Sequence, residues 1–227
     1  MPPSFHPNTR GRIIARLLER QERTSSVTSQ AVLKMDDLTA RESPPDPSLL
    51  EQTLAAAIKD AQTITAEGRS ANALIEGVQF RELPTHVDER GAVMEMYDPR
   101  WNWHSEPLVF AYCFTVRPGI VKGWGLHQQH EDRYCLLQGE MELVLYDVRP
   151  NSRTRGQVSR IVLTEYNRRI VNIPRLVWHA DFNFGATDAL VVNFPTKPYD
   201  HANPDKFRLP IDTPLIPHKF PGARGGG

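Results

Sequence analysis

The chain has 227 residues, enough for one domain with an appendage or for two small domains. Its 27 Lys and Arg balance its 27 Asp and Glu, and the balance repeats within 1–75 (nine against nine) and 76–227 (18 against 18), so charge gives no case for nucleic acid as a partner. The longest apolar run, Leu108 to Phe114, is seven residues, far below the roughly 20 needed to span a bilayer, and no membrane is expected as a partner.

The opening residues hold no apolar stretch long enough for a signal peptide. Cys113 and Cys135 sit singly inside apolar runs rather than in a disulfide framework. Both thiols are expected to be buried and the protein cytoplasmic. Residues 1–47 carry six prolines and only short apolar clusters, which reads as a mostly disordered tail. Within it, Ile13, Ile14, Leu17 and Leu18 share one face of a short helix over Arg12 to Arg23. Ser48 and Glu51 form a capping box after Pro47, and Leu50, Leu54, Ile58 and Ala61 recur at helical intervals until Gly68. Residues 48–76 are therefore expected to be an amphipathic helix and a linker, its apolar face packed on the main domain or on a second copy.

From residue 77 the texture changes to short runs with period-two alternation, broken every eight to twelve residues by Gly, Pro, Asn or Asp. Phe110, Tyr112, Phe114 and Val116 alternate with Val109, Ala111, Cys113 and Thr115, and Met141 to Val148, Arg160 to Leu163, Arg168 to Ile173 and Leu190 to Phe194 follow the same style. This predicts an all-β domain over 77–220, closed as a barrel or jelly roll because closure removes exposed sheet edges. The final GARGGG predicts a flexible tail over 221–227.

Ionisable side chains gather in Lys122 to Glu142, KGWGLHQQHEDRYCLLQGEME, which supplies His127, His130, Asp132 and Arg133. Fifty residues on, IPRLVWHADFNFG adds His179 and Asn183. The first segment resembles the first cupin motif, with Asp132 six intervening residues before Gly139. The second resembles the other cupin motif, met by Pro174, His179 and Asn183, with Leu176 where glycine is usual. Over roughly 77–220 the chain is similar to the dTDP-4-dehydrorhamnose 3,5-epimerase family, more closely to its divergent branch. The matching pieces, in family order, are DERGAVMEMY, GLHQQ, GEMELVLYDVRPNSRTRG and IPRLVWHADF.

That resemblance implies a cupin double-stranded β-helix (jelly roll) with an N-terminal extension, a homodimer, no cofactor, and a nucleoside-diphosphate 4-keto-6-deoxy sugar as substrate. Epimerisation next to a ketone needs a base, a group that stabilises the enolate oxygen, and an acid on the opposite face. The family's base matches His127, and the carboxylate behind it is best matched by Asp212. The family's proton-donating tyrosine falls on Asn193, whose carboxamide cannot be an acid, so Tyr134 is the substitute donor. Arg133 stands in for a basic residue whose place Asp132 occupies, the arginine that meets the diphosphate becomes Trp124 or is replaced by the displaced Lys122, and Tyr199 corresponds to a base-stacking tyrosine. Arg90 and Glu95 keep their motif positions in a strand that holds the nucleotide at the dimer interface, and His179 lines the sugar site.

Two other readings stay open on the same residues. One is a metal-dependent cupin in which His127, His130, Asp132 and His179 surround a divalent transition metal for oxygenase or isomerase chemistry. Against it, residues three apart on a strand point to opposite faces, unless a bulge or loop intervenes. The other is a non-catalytic sugar-binding cupin, in which Trp124, Trp178, Tyr134 and Tyr199 stack on a ligand.

Overall fold

The computed structural model describes residues 47–226 apart from Arg69; the tail expected over 1–46 and the helix expected over Arg12 to Arg23 lie outside the described residues. The chain divides into two units, 1–61 and 62–227. In the first, helix α1 (Pro47–Ala56) starts where the capping box places it but stops at Ala56 rather than near Gly68. Leu50, Leu54 and Ile58 are exposed, and a helix this short gains most of its stability from packing an apolar face. The β-branched Thr63, Ile64 and Thr65 then favour extended chain, and Ile64 bridges Ser70.

In the second unit the described residues form two facing sheets. One orders β1 (Gln79–Glu82), β9 (Arg169–Ile173), β6 (Asp132–Gln138), β11 (Ala189–Asn193) and β4 (Tyr112–Val116). The other orders β12 (Phe207–Arg208), β5 (Ile120–Leu126), β10 (Val177–Phe182), β7 (Glu140–Asp147) and β8 (Val158–Thr164), with β13 (Arg224–Gly225) also on β5. Neighbours in both sheets are antiparallel except β13, which runs parallel to β5. This is the expected jelly roll. A separate hairpin, β2 (Thr85–Asp88) with β3 (Gly91–Met94), carries Arg90 at its turn.

The main core fills the space between the sheets, with Leu136, Val171 and Val191 of one facing Leu143, Leu145 and Val177 of the other. The central strands β6 and β7 read as nearly continuous apolar runs because their outer faces are covered as well. Met94, Met96, Trp101 and Trp103 pack with Leu83, Cys135, Ile170 and Phe194 outside the first sheet. Ile216, Phe220, Leu209 and Ile211 pack with Val121, Trp124, Val144 and Ala180 outside the second. The edge strand β8 alternates buried and exposed residues.

Three expectations change here. The tail expected to be flexible carries a strand: Arg224 N donates to Gly119 O at 2.9 Å and Arg224–Gly225 extends a sheet. Trp124 belongs to the second outer cluster, fully buried and edge-on to His218, because β5 turns its indole away from the space between the sheets. Cys135 is buried, its thiol pushed up to about 11 by burial, but Cys113 is exposed because β4 is an edge strand.

Gly139 joins β6 to β7 at φ +82°, and a Cβ there would lie 2.8 Å from Asp188 O. Gly139→Ala is expected to lower stability by about 1–3 kcal/mol through backbone strain and this clash. Urea unfolding checks it, and an unchanged midpoint would contradict the reading.

Candidate active site

The strand register brings the polar residues to one end of the sandwich. Asn193, the last residue of β11, lies between Tyr112 on β4 and Tyr134 on β6. In the facing sheet His179 pairs with Gly125, which pairs with Arg208. A Cβ on Gly125 would lie 3.2 Å from His179 Nε2, so the bare backbone is what lets this imidazole sit there. The loop 127–131 crosses between the sheets at the same end. Being a loop, it frees His127 and His130 from the alternation of a strand, and their rings lie 4.0 Å apart.

Asp132 is the centre of the cluster and is buried. Its Oδ2 lies 3.2 Å from His127 Nε2 and 3.7 Å from His179 Nε2, and its Oδ1 lies 3.6 Å from His130 Nε2. Asn193 Nδ2 donates to Asp132 Oδ1 at 2.7 Å and to the Tyr112 hydroxyl at 3.0 Å. Burial opposes ionisation of Asp132, but the close approach of His127 and His130 and the charge of His127 win, holding its carboxyl well below the usual range. His179 moves the other way: burial, then the charge of His127, push it down to about 3, so it is neutral.

Asp205 closes the cluster from outside. Its carboxylate accepts from Gln128 N at 2.9 Å, from Gln129 N at 2.7 Å and from His130 Nδ1 at 2.9 Å, and its backbone carbonyl accepts from His127 Nδ1. Burial raises its carboxyl, but the two backbone donors and His130 more than offset that, so it stays below the usual range. Because a carbonyl only accepts, neutral His127 carries its proton on Nδ1, and a second proton, taken up on Nε2, is what gives the ring its charge and its hydrogen bond toward Asp132.

Two cavities meet at this cluster. The outer, about 340 Å³, is lined by His127, His130, Lys197, Tyr199 and His201 among others. The inner, about 120 Å³, is lined by Lys122, Tyr134, His179 and Asp181 among others. Tyr112, Lys206 and Arg208 line both. Asp181 is buried, its Oδ1 has no hydrogen-bond partner, and burial pushes its carboxyl up to about 7 despite Lys206. Desolvation in turn lowers Lys206 from the ordinary lysine range.

The structure thus brings together His127, His130, Asp132, His179, Asn193, Tyr134 and Tyr199. It does not bring Asp212, which is exposed and whose backbone carbonyl accepts from Lys219 Nζ. The carboxylates beside His127 and His130 belong to Asp132 and Asp205. Arg133 is fully buried and donates to the backbone carbonyls of Phe194, Glu106 and Pro107, so it braces loops instead of meeting a ligand. Arg90 pairs with Asp88 on the exposed hairpin, and Glu95 is exposed just after it. Leu176 holds φ +62°, the left-handed conformation for which the cupin motif has glycine, and its N–H donates to His127 O at 2.8 Å. Sequence reasoning missed Asp205, Lys206, Arg208 and Asp181; the run NPDKFR held three of these charges, but nothing local tied them to His127.

Among the described residues two sets of donor atoms could hold a cation: His127, His130 and Asp205, and His127, Asp132 and His179, each set within 4.8 Å. The second is buried, and two imidazoles with a carboxylate suit Zn, Fe, Mn or Ni.

The family model described as dTDP-4-dehydrorhamnose 3,5-epimerase matches residues 72–213, spanning both sheets and the cluster. The chain belongs to that family. It is 30% identical over 139 residues to the probable low-salt glycan biosynthesis epimerase Agl13 of Haloferax volcanii, covering 61% of this chain and 89% of the relative. It is also 30% identical over 143 residues to the spore coat polysaccharide biosynthesis protein SpsL of Bacillus subtilis, covering 63% and 94%. The crystal structure of a dTDP sugar isomerase from Desulfovibrio desulfuricans superposes with a TM-score of 0.61 at 32% identity, covering 67% of this chain and 97% of that one.

The raised carboxyl of Asp181 has a consequence for stability. Between its usual 3.8 and about 7 the unfolded chain ionises at this position while the folded chain does not. Its stabilising contribution is full below the lower value and is lost as pH rises through the upper one. Asp181→Asn should therefore gain on the unsubstituted protein between about pH 4 and 7, by about 2–4 kcal/mol. Denaturant titrations across that range check this; parallel curves would show that Asp181 ionises normally.

Proposed function

We propose that this chain is a sugar-nucleotide epimerase that inverts a carbon next to the ketone of a nucleoside-diphosphate 4-keto-6-deoxy sugar, with His127 as its base. The observation that carries the reading is His127 itself, oriented by the Asp205 carbonyl on a cavity wall shared with Lys197, Lys206 and Arg208. His127 Nε2 takes the proton α to the ketone, and Asp132, 3.2 Å away, stabilises the imidazolium that results. Lys206, reaching both cavities, supplies the cation for the enolate oxygen, the task that the family's basic residue performs from the position of Asp132. Lys197 and Arg208 suit the diphosphate, and the half-exposed ring of Tyr199 suits the base.

The chain acts as a homodimer in this reading. The hairpin β2–β3 supports it, because Val87 and Val93 are exposed on it and Arg90, paired with Asp88, lies off the two cavities at the histidine cluster, where it suits a partner's nucleotide. Two free thiols fit a reducing compartment, and we place the reaction in the cytoplasm. Among the described residues no helix is long and apolar enough to cross a membrane.

The test is incubation with dTDP-4-keto-6-deoxyglucose in heavy water, with deuterium followed at each sugar carbon by NMR. Exchange next to the ketone is expected, at both neighbouring carbons for a double epimerase and at one for a single. His127→Ala should reduce it by about 10²–10⁴-fold, the usual contribution of general-base catalysis, with the β-sheet fold retained by circular dichroism. Undiminished exchange in that variant would remove His127 as the base.

A further inference from the structure

The epimerase reading leaves one part unassigned, the acid that returns a proton to the opposite face, because the position that resembles the family's tyrosine holds Asn193. We infer that Tyr112 is the proton donor, its phenol entering from the neighbouring strand. This assignment rests on the epimerase reading.

Asn193 and Tyr112 are direct partners in the pairing of β11 with β4. The Asn193 carboxamide is fully committed: its Oδ1 accepts from Arg133 N at 2.9 Å, and its Nδ2 donates both to Asp132 Oδ1 and to the Tyr112 hydroxyl. An amide N–H only donates, so the Tyr112 oxygen accepts in this bond and its own hydrogen is left to point elsewhere. The ring lines both cavities, and so the phenol faces the space where a sugar would lie. Tyr134 lines only the inner cavity, is almost wholly buried, and sits edge-on to His179.

The sheet assignment gives the two groups opposite sides. Tyr112 belongs to β4, in the five-stranded sheet, whereas His127 follows directly on β5, in the facing sheet. A sugar ring between the sheets meets the base on one face and the phenol on the other, as inversion requires. Phe110, two residues before the strand, and Phe114, two residues along it, flank the Tyr112 ring at centroid distances of 5.7 and 6.3 Å and hold it in place. Burial, with the charge of Asp132, pushes the Tyr112 hydroxyl up to about 12, so it carries its proton at neutral pH.

The step balances without a further reactant. His127 Nε2 takes the α-proton as the C–H pair moves into the enolate. The enolate carbon then takes the phenolic proton: a C–H bond forms, the O–H bond breaks, and its electron pair stays on the tyrosine oxygen. Asn193 Nδ2–H and Lys206 stabilise that phenolate. Proton exchange with water resets both residues.

The test is Tyr112→Phe in the full chain, assayed with dTDP-4-keto-6-deoxyglucose in heavy water beside Tyr134→Phe, with melting temperature and dTDP affinity measured for each. The expected result for Tyr112→Phe is that deuterium still enters next to the ketone with configuration retained, since His127 returns it to the face it came from. Inverted product should form about 10²-fold more slowly or worse, while Tyr134→Phe inverts within about threefold of the parent protein. Inversion by Tyr112→Phe within about threefold overturns the assignment. So does joint loss of exchange and inversion with melting and dTDP affinity unchanged, which makes Tyr112 a positioning group. Absence of exchange in the unsubstituted protein overturns the epimerase reading and this assignment with it, whereas the other two results strike the assignment alone.

Discussion

A carboxylate buried among imidazoles has to be compensated where it sits, and Asp132 sets the terms for everything around it. An ionised carboxyl at 2% exposure is tolerable only with donors and positive charge at close range. Asn193 supplies the shortest hydrogen bond, and His127, His130 and His179 supply the ring nitrogens. Each of these partners then acquires its own constraint. Asn193 must use its remaining hydrogen on Tyr112, His130 must bridge Asp132 and Asp205, and His127 must keep its other nitrogen on the Asp205 carbonyl.

The two covered sheets make such a cluster possible. Both outer faces carry apolar layers, so the sandwich is held by three clusters instead of one, and the end that holds the polar residues can stay open without weakening the rest. The cavities occupy that end because β4, β5, β6, β11 and β12 all start or finish there. Chemistry that must reach two faces of a flat enolate suits a gap between sheets, since each sheet presents side chains from its own side.

Departures from the family pattern gather at the same end and compensate one another. Asp132 stands where the resemblance leads one to expect a basic residue, and Lys206 brings positive charge to both cavities from another segment. Asn193 stands where it leads one to expect a phenol, and the Tyr112 phenol lies directly across on β4. Leu176 replaces glycine yet keeps the left-handed backbone, because its N–H is needed at the His127 carbonyl. Such strain costs about 1–2 kcal/mol outside glycine and persists only where surrounding contacts hold it.

The amino-acid sequence by itself put the domain boundary near residue 77, whereas the chain divides at 61/62. It determined the all-β class, the start of α1, and the crowding of histidines around Asp132 on one strand and its loop. These are local properties: alternation of apolar residues, capping chemistry, and spacing within one strand and its loop. Only the tertiary structure decided that Asp205 stands behind the histidines instead of Asp212, that Trp124 and Arg133 are bracing residues, and that Tyr112 meets Asn193. Each of those depends on which strand lies beside which and on the face to which a side chain turns. A shift of one residue in register reverses that face, and residues 127 and 205 approach only because β12 returns to pair with β5. Spacing along the chain carries no record of that return.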